Sequence, residues 1–242
     1  QALPDEAPAQ PAKARKLLIF DRTVGGGGHP SIPHANLAFT RMGEKTGAFE
    51  AVVEHEPEAF ARGHLQQYDA VFFNNTLGNL FEDTDLRQNL AEFVEGGGGM
   101  MGVHAATTSF TVWPGAIEDW PKFGEMLGAR GASHRINTEE VVVKIDDPDH
   151  PVVQAFGGKS FTFRDEFFRV KEPYSREHVH VLLSFDTERT DMEQGRAYGP
   201  CVREDGDYPV AWVRRHGEGR VFYCTIAHNP YVFWDPTMLK FY

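Results

Sequence analysis

The chain has 242 residues, of which 41% are hydrophobic and 24% are charged. This balance is that of an ordinary globular protein and excludes a mostly disordered chain. Acidic residues outnumber basic residues by 35 to 24, and the formal net charge of −11 disfavours binding to phosphate backbones and anionic lipids. No run approaches the ~18 apolar residues of a membrane-spanning helix. From the charge and the short apolar runs together, we expect neither nucleic acid nor a membrane as a partner.

Residues 1–15 form a leader rich in proline and alanine, and residues 16–242 carry the hydrophobic patterns of a single domain. The leader has no periodicity and is predicted to be disordered. It begins at Gln1 rather than Met, which is typical of an exported protein after removal of its signal peptide and equally of a shortened chain. We therefore expect a periplasmic or secreted protein, with the cytoplasm as the open alternative.

The first half of the domain alternates between short apolar runs and amphipathic segments. Strands are predicted at residues 16–20, 51–53, 69–74 and 100–103, and helices at residues 34–46 and 85–95. The second helix is expected to end at Gly96 in the left-handed conformation. The alternation of strand and helix predicts an α/β fold with a mostly parallel central sheet.

The second half is richer in strands. They are predicted at residues 139–145, 161–163, 179–185, 210–214 and 220–226. The last two flank the segment His216-Gly217-Glu218-Gly219, which predicts a hairpin. The second half is therefore expected to add further strands to the sheet.

Polar side chains follow several of the predicted strands. Ligands of open α/β sheets bind beyond the carboxyl ends of the strands. The residues at these positions are His29 and His34 after the first strand, Asn75 and Thr76 after the third, His104 after the fourth and His228 after the last. Histidines that follow three separate strands predict a shared site at one edge of the sheet.

His104 lies in the segment Gly102-Val103-His104-Ala105-Ala106, with small residues two positions to either side. This pattern is that of a nucleophile elbow, a sharp strand-to-helix turn that requires small flanking residues. An imidazole cannot readily replace a thiolate as nucleophile, but it can be a general base or a metal ligand. The alternative is a histidine that only packs at the start of the helix.

Asp165 and Glu166 lie among four phenylalanines in the segment 161–168. Burial in such surroundings would raise the pKa of a carboxyl group and suit it to acid–base chemistry. The structural alternative is an ion pair with Arg164 or Arg169 at a sheet edge.

Other residues give weaker signals. The tryptophans could stack on sugar rings, although a core position is expected for one of them, Trp212; the others are Trp113, Trp120 and Trp234. The loop 25–28 is rich in glycine but lacks the Lys-Ser/Thr of a phosphate-binding loop, so no nucleotide is expected. His134 and His150 are interpreted as turn residues.

These features together resemble the ThuA-like (trehalose utilisation) family, within the class I glutamine amidotransferase-like superfamily. The resemblance covers about residues 16–242. The motifs that carry it are Gly28 to His34, Gly102 to Ala106, Phe123 to Ala129 with Ser133-His134, Asp165 to Phe167, and Gly217 to Thr225 with Ala227 to Asn229. It implies a flavodoxin-like three-layer sandwich, a carbohydrate ligand related to 3-keto sugars, and a divalent metal, zinc or manganese.

The resemblance also implies which chemistry is absent. His104 occupies the position of the superfamily's cysteine nucleophile, and His228 occupies that of its histidine. In the superfamily a glutamate follows that histidine, but here His228 is followed by Asn229 and Pro230, so the partner glutamate is absent. Glutamine hydrolysis by a cysteine triad is therefore excluded.

Three hypotheses for the function follow. The first is an enzyme acting on a 3-keto-glycoside or related sugar by lyase, hydrolase or isomerase chemistry; the others are a non-catalytic carbohydrate-binding domain and a metal-dependent hydrolase. The predicted catalytic residues are His104, His228 and Glu166, and the predicted metal ligands are His29, His104 and His228. The predicted substrate-binding residues are His29, His34, Asn75, Thr76, Asp165 and Trp234. The expected partner is a small carbohydrate, and a homo-oligomer is considered.

Overall fold

A computed structural model of the chain describes residues 2–112 and 118–242, so the predicted stacking residue Trp113 lies outside the described residues. The strands, β1 to β12 in chain order, are Lys16–Phe20, Glu50–Glu54, Ala70–Asn74, Gly99–Val103, Arg130–Arg135, Glu139–Ile145, Phe161–Asp165, Phe168–Lys171, His180–Phe185, Ala197–Tyr198, Pro209–His216 and Gly219–Cys224. The α-helices, α1 to α5, are Ile32–Thr46, Arg62–Leu65, Thr84–Glu95, Pro121–Leu127 and Pro236–Phe241. Short 3-10 helices cover Pro57–Phe60, His104–Thr108, Pro151–Phe156 and Pro230–Trp234.

The large sheet has nine strands in the order β2-β1-β3-β4-β12-β11-β9-β6-β7. The strands from β2 to β12 pair in parallel, whereas those from β12 to β7 pair antiparallel. The prediction of a mostly parallel sheet therefore holds for one half only. The change begins at β11 and β12, because the short turn between His216 and Gly219 can join only antiparallel neighbours.

Helices cover both faces of the large sheet, which confirms the three-layer sandwich. In β1, Leu18 and Phe20 face a core shared with α2, α3 and α4, whereas Ile19 faces a core shared with α1 and α5. This alternation follows from the two-residue period of a strand, which sends successive side chains to opposite faces. Because both faces are covered, the short apolar runs of the first half are buried on both sides, as a parallel sheet requires.

A second, three-stranded sheet in the order β10-β5-β8 was not predicted. Its strand β5 reads Arg-Gly-Ala-Ser-His-Arg and has no apolar alternation that would indicate a strand. A buried ion pair joins this small sheet to the large one, since Arg169 on β8 donates to both carboxylate oxygens of Glu139 on β6 at 2.6 Å. Arg169 therefore pairs with Glu139, and Arg164 pairs with Glu140, so among the described residues neither forms the alternative ion pair with Asp165 or Glu166.

The backbone also shows how helix α3 ends and which structure the leader adopts. Helix α3 ends at Gly96 with an ordinary negative φ, and the left-handed residue is Gly97, with φ of 110°. In the leader, residues 2–15 form neither helix nor strand, and Lys45 donates a hydrogen bond to the Leu3 carbonyl oxygen. Among the described residues, every helix is too short or too polar to span a bilayer.

Candidate functional site

Four side chains of the type that binds metals meet at the carboxyl edge of the large sheet. They are His29, His104, Glu166 and His228, and their potential ligand atoms all lie within 4.8 Å of one another. His29 lies in the loop after β1, His104 directly follows β4, and His228 lies in the loop after β12. We call these four residues the quartet.

The topology of the sheet explains how Glu166 reaches the same edge. Glu166 directly follows β7, the outermost strand on the antiparallel side. Four successive antiparallel pairings separate β7 from β12, so β7 runs in the same direction as β12. Its carboxyl end therefore points to the edge where the parallel strands deliver their histidines.

His104 adopts a strained backbone conformation, with φ of 47° at the first residue after β4. A Cβ atom at Gly102 would lie 2.9 Å from Leu127 Cδ1 and 3.2 Å from Ala106 Cβ, so the tight turn requires the small flanking residues. The sharp strand-to-helix turn predicted from the sequence is present, although the helix that follows is a 3-10 helix.

Hydrogen bonds fix the His104 imidazole and its backbone. His104 Nδ1 donates to the Thr225 carbonyl oxygen at 3.0 Å, and the Tyr223 hydroxyl donates to the His104 carbonyl oxygen at 2.7 Å. Because Nδ1 is used in this hydrogen bond, Nε2 is the ring nitrogen that faces the quartet, and it lies 3.3 Å from Glu166 Oε1. The side chain therefore presents one fixed nitrogen to the quartet, as a metal-binding histidine does.

The histidines of the quartet contact one another at their ring edges. The ring centroid of His29 lies 4.9 Å from that of His104 and 5.1 Å from that of His228. Burial, and then the neighbouring His104, lowers the pKa of His29 to about 2 and that of His228 to about 4. The imidazoles of His29 and His228 are therefore neutral near pH 7, which is the form that binds a metal.

Each histidine of the quartet has a buried ring nitrogen without a hydrogen-bond partner among the described residues. These nitrogens are His29 Nδ1, His104 Nε2 and His228 Nδ1. A buried polar atom without a partner is costly, and such atoms are rare unless a ligand satisfies them. Three imidazoles beside one carboxylate form a donor set that suits zinc, and also manganese. The residues present thus fit a divalent cation.

Glu166 is held as a carboxylate, contrary to the predicted rise in its pKa. Burial would raise the pKa of Glu166, but the contacts with His104 and His134 outweigh it and hold the pKa below its ordinary range. Glu166 Oε1 faces His104 Nε2, and Glu166 Oε2 lies 3.2 Å from His134 Nδ1. The carboxyl group can therefore accept a proton or bind a cation at neutral pH.

Asp165, which the sequence predicts to bind substrate, makes its contacts within the protein. Its side chain is fully buried and accepts hydrogen bonds from the backbone N–H groups of His228 and Asn229 at 3.1 and 3.0 Å. The Asn229 side-chain amide donates a third hydrogen bond at 2.6 Å. Burial raises the pKa of Asp165 to about 6, which is the effect expected from the sequence for this acidic pair. Asp165 shapes the loop that carries His228.

Asn75 and Thr76, which the sequence predicts to bind substrate, are buried and hydrogen-bonded within the protein, although Asn75 Oδ1 has no partner among the described residues. Asn75 Nδ2 donates to Ser31 Oγ at 3.3 Å and to the Ala227 carbonyl oxygen at 3.2 Å. Thr76 Oγ1 pairs with Ser109 Oγ at 2.8 Å. These contacts join the segments that follow β1, β3, β4 and β12, so the two residues connect the segments that carry the quartet histidines.

His34 and Trp234 form a separate pair outside the quartet. Trp234 Nε1 donates to His34 Nδ1 at 3.2 Å, and 56% of Trp234 is exposed. An exposed indole remains available for stacking on a sugar ring. Trp212, in contrast, is fully buried and donates to the Leu127 carbonyl oxygen, as expected for a core residue.

His134 is the residue of the site that the sequence interpretation missed. It lies on β5, and its ring stacks against Tyr198 at 5.1 Å and packs on Phe168 at 5.1 Å. The interpretation as a turn residue failed because β5 has no apolar alternation. The available signal was the pair Ser133-His134, which is among the motifs that carry the family resemblance.

Comparisons with known proteins give the family and the fold. The family model described as ThuA, trehalose utilisation, matches residues 16–242. No curated protein matches the chain. Among solved structures, a ThuA-like protein of Bacteroides uniformis has 22% identity and a TM-score of 0.73, and the match covers 97% of this chain and 91% of that one.

Two further structures extend the comparison. A ThuA-like protein of Parabacteroides merdae has 18% identity and a TM-score of 0.65, over 94% of this chain and 88% of that one. The β-galactosidase of Rahnella sp. R3 has 14% identity and a TM-score of 0.55, over 95% of this chain but 30% of its own. At these identities the structural likenesses show a shared fold. Because the family model spans the whole of the predicted domain, the chain belongs to the ThuA family.

Proposed function

We propose that this protein is a metal-dependent enzyme that acts on a 3-keto-glycoside or a related sugar by acid–base chemistry. The observation that carries the proposal is the quartet, in which three imidazoles and one carboxylate bring their potential ligand atoms within 4.8 Å of one another. Each of the three histidines also has a buried ring nitrogen without a hydrogen-bond partner among the described residues. The description of the family as trehalose utilisation supports a carbohydrate substrate. In this proposal His29, His104 and His228 would hold the metal, a set of three protein ligands like that of catalytic zinc sites.

Glu166 is the residue that accepts the proton in this proposal. A keto group at C3 acidifies the hydrogen on C2, and the electron pair released by proton transfer moves toward the keto oxygen as an enolate forms. A divalent zinc or manganese ion, when bound, supplies Lewis-acid stabilisation of that developing negative charge. Glu166 is suited to the proton transfer because His134, whose Nδ1 lies 3.2 Å from Glu166 Oε2, helps to keep it a carboxylate.

The same enolate leads to three outcomes. Loss of the C1 alkoxide gives elimination, addition of water to the product gives net hydrolysis, and reprotonation at another carbon gives isomerisation. His134 Nδ1 donates to the Arg135 carbonyl oxygen at 2.9 Å, which fixes the ring, and it also lies 3.2 Å from Glu166 Oε2, so His134 is placed to orient Glu166. The reaction products identify which outcome applies.

The first test is the metal content of the untagged protein, measured by elemental mass spectrometry. We expect about one equivalent of zinc or manganese per chain, as for a single site with three protein ligands. His104→Ala and His228→Gln are each expected to lose the metal and the turnover of a 3-keto-glycoside. His34→Ala is the matched control, because His34 pairs with Trp234 outside the quartet and its loss should leave the metal in place.

Two results would contradict the proposal. Turnover by protein that has been stripped of metal with a chelator would exclude a metal-dependent reaction. Retention of metal by both quartet variants, with circular dichroism showing intact folds, would show that the metal binds elsewhere.

A carbohydrate-binding domain without catalysis is the second candidate, and the exposed Trp234 is the observation that favours it. Such a domain would lose sugar affinity in Trp234→Ala and keep it in His104→Ala. An enzyme would show the converse for turnover, because stacking contributes to binding whereas the quartet contributes to the reaction.

A further inference from the structure

Next to the quartet, strand β10 presents an exposed aromatic ring. Tyr198 is 47% exposed and lies directly opposite His134 in the register of β10 and β5. The two rings stack at 5.1 Å with an angle of 24° between their planes. His134 in turn contacts Glu166, so the His134 ring separates Tyr198 from the quartet.

Arg196 extends this arrangement toward solvent. Its guanidinium carbon lies 4.9 Å from the centroid of the Tyr198 ring, a distance typical of a cation–π contact. Within the part of the chain that the structure describes, no carboxylate lies within the 4.0 Å ion-pair distance of Arg196. Most arginines of this acidic chain do have such a partner. The others that do not, Arg214, Arg215 and Arg220, line a cavity at the opposite end of the sheet.

The segment that carries Arg196 and Tyr198 is held in place by buried groups. Arg135, which is 5% exposed, donates hydrogen bonds to the carbonyl oxygens of Gln194 and Gly195 at 3.3 and 3.2 Å. Ser133 Oγ donates to the Pro200 carbonyl oxygen at the other end of the segment. Gly195 and Gly199 bracket the strand with φ of 69° and 111°, values that favour glycine. The segment is therefore fixed before any ligand binds, which reduces the entropic cost of binding.

We propose that Arg196 and Tyr198 form a subsite for an anionic group, a carboxylate or a phosphate, carried by the sugar that binds at the quartet. We call these two residues the β10 ledge. This inference rests on the proposed carbohydrate function and adds to it a substrate class, the acidic glycosides. A guanidinium presents planar N–H donors that match the oxygens of a carboxylate or phosphate. The net charge of −11 offers anions no general attraction, so a local cation is needed to select them.

The test compares three sugars that differ in charge. Methyl glucuronide carries a carboxylate, glucose 6-phosphate carries a phosphate, and methyl glucoside is neutral. Affinities for the metal-loaded protein are measured by isothermal titration calorimetry. We expect at least one acidic probe to bind about tenfold more tightly than methyl glucoside, as a charge-assisted hydrogen bond supports. Whichever acidic probe is preferred identifies the source of the anion.

Variants of the ledge assign the preference to Arg196. Arg196→Ala is expected to reduce the ratio of acidic to neutral affinity to about one, with the affinity for methyl glucoside unchanged. Tyr198→Ala is expected to reduce the ratio in part, because Arg196 loses its support, whereas Tyr198→Phe should retain it. Arg215→Ala is the control, since it removes the same charge from an exposed arginine that also lacks a carboxylate partner.

Three results would overturn the inference. Equal affinities for acidic and neutral probes in the unaltered protein would exclude the anionic subsite while leaving the carbohydrate function in place. A preference that persists in Arg196→Ala would assign it to the metal or to another cation. If none of the probes binds to metal-loaded protein, the sugar site itself is contradicted, and the subsite with it.

Discussion

The buried ion pair between Glu139 and Arg169 makes a quantitative prediction about how the site is supported. Glu139 begins β6 in the large sheet, and Arg169 lies on β8 in the small sheet, three residues after Glu166. Both hydrogen bonds between the two side chains are 2.6 Å long, and the side chains are at most 1% exposed. The pair therefore ties the strand that follows Glu166 to the large sheet.

Glu139→Gln keeps the shape of the side chain and removes its charge. Arg169 then remains as a buried guanidinium without a counter-charge, a defect that costs about 3–5 kcal/mol in the free energy of unfolding. A chain of this length loses roughly 2–4 °C in Tm for each kcal/mol, so we expect Tm to fall by about 6–20 °C. This loss is a large share of the roughly 5–15 kcal/mol that stabilises a typical domain.

The matched control is the next residue along the same strand. Glu140 pairs with Arg164 at 2.7 Å, but these side chains are 51% and 60% exposed. Glu140→Gln is therefore expected to cost less than about 1 kcal/mol. Urea unfolding of the unaltered protein, Glu139→Gln and Glu140→Gln measures the loss in the free energy of unfolding for each substitution. Equal costs for the two substitutions, or a cost below about 1 kcal/mol for Glu139→Gln, would refute the argument that burial makes this pair expensive to break.

Two further predictions concern the site itself. His134→Ala is expected to lower kcat about 100-fold with little change in KM, because Glu166 loses the side chain that orients it. His134→Asn should recover much of the loss in kcat. Equal kcat values for the two variants would argue against an orienting role. In metal-free protein, the pKa of His228 is about 4 when folded and ordinary, near 6.5, when unfolded, so the unfolded chain binds the extra proton between these values. The free energy of unfolding should therefore fall as the pH drops from 6.5 to 4, and the fall should be shallower in His228→Gln; parallel urea-unfolding profiles would contradict this.

The elements that the sequence predicts well are those with a strong local signal. The strands 16–20 and 139–145 were predicted with their observed bounds, because each is a short apolar or alternating run between clear turns. The convergence of His29, His104 and His228 was also predicted, since the carboxyl ends of parallel strands share one edge of the sheet. Local patterns were sufficient where the fold follows from strand direction alone.

The failures have a common physical cause, which is that they depend on pairings between distant segments. Strand β5 is stabilised by its neighbours β8 and β10 rather than by apolar alternation, so His134 could not be placed. The pKa directions of Asp165 and Glu166 likewise depend on which of them faces the histidines. Burial acts on both carboxyl groups, but only Glu166 contacts two imidazoles that offset it.

The strained conformation of His104 connects the fold to the proposed chemistry. A non-glycine residue with φ of 47° costs of order 1–3 kcal/mol and persists only where its surroundings enforce it. Here the Tyr223 hydroxyl and the Thr225 carbonyl oxygen fix the His104 backbone and ring, and Gly102 allows the turn to close. In a nucleophile elbow such a turn exposes a reactive side chain. With an imidazole whose Nδ1 already donates a hydrogen bond, the same turn instead aims the other ring nitrogen at the quartet in a fixed position, which is what a metal ligand requires.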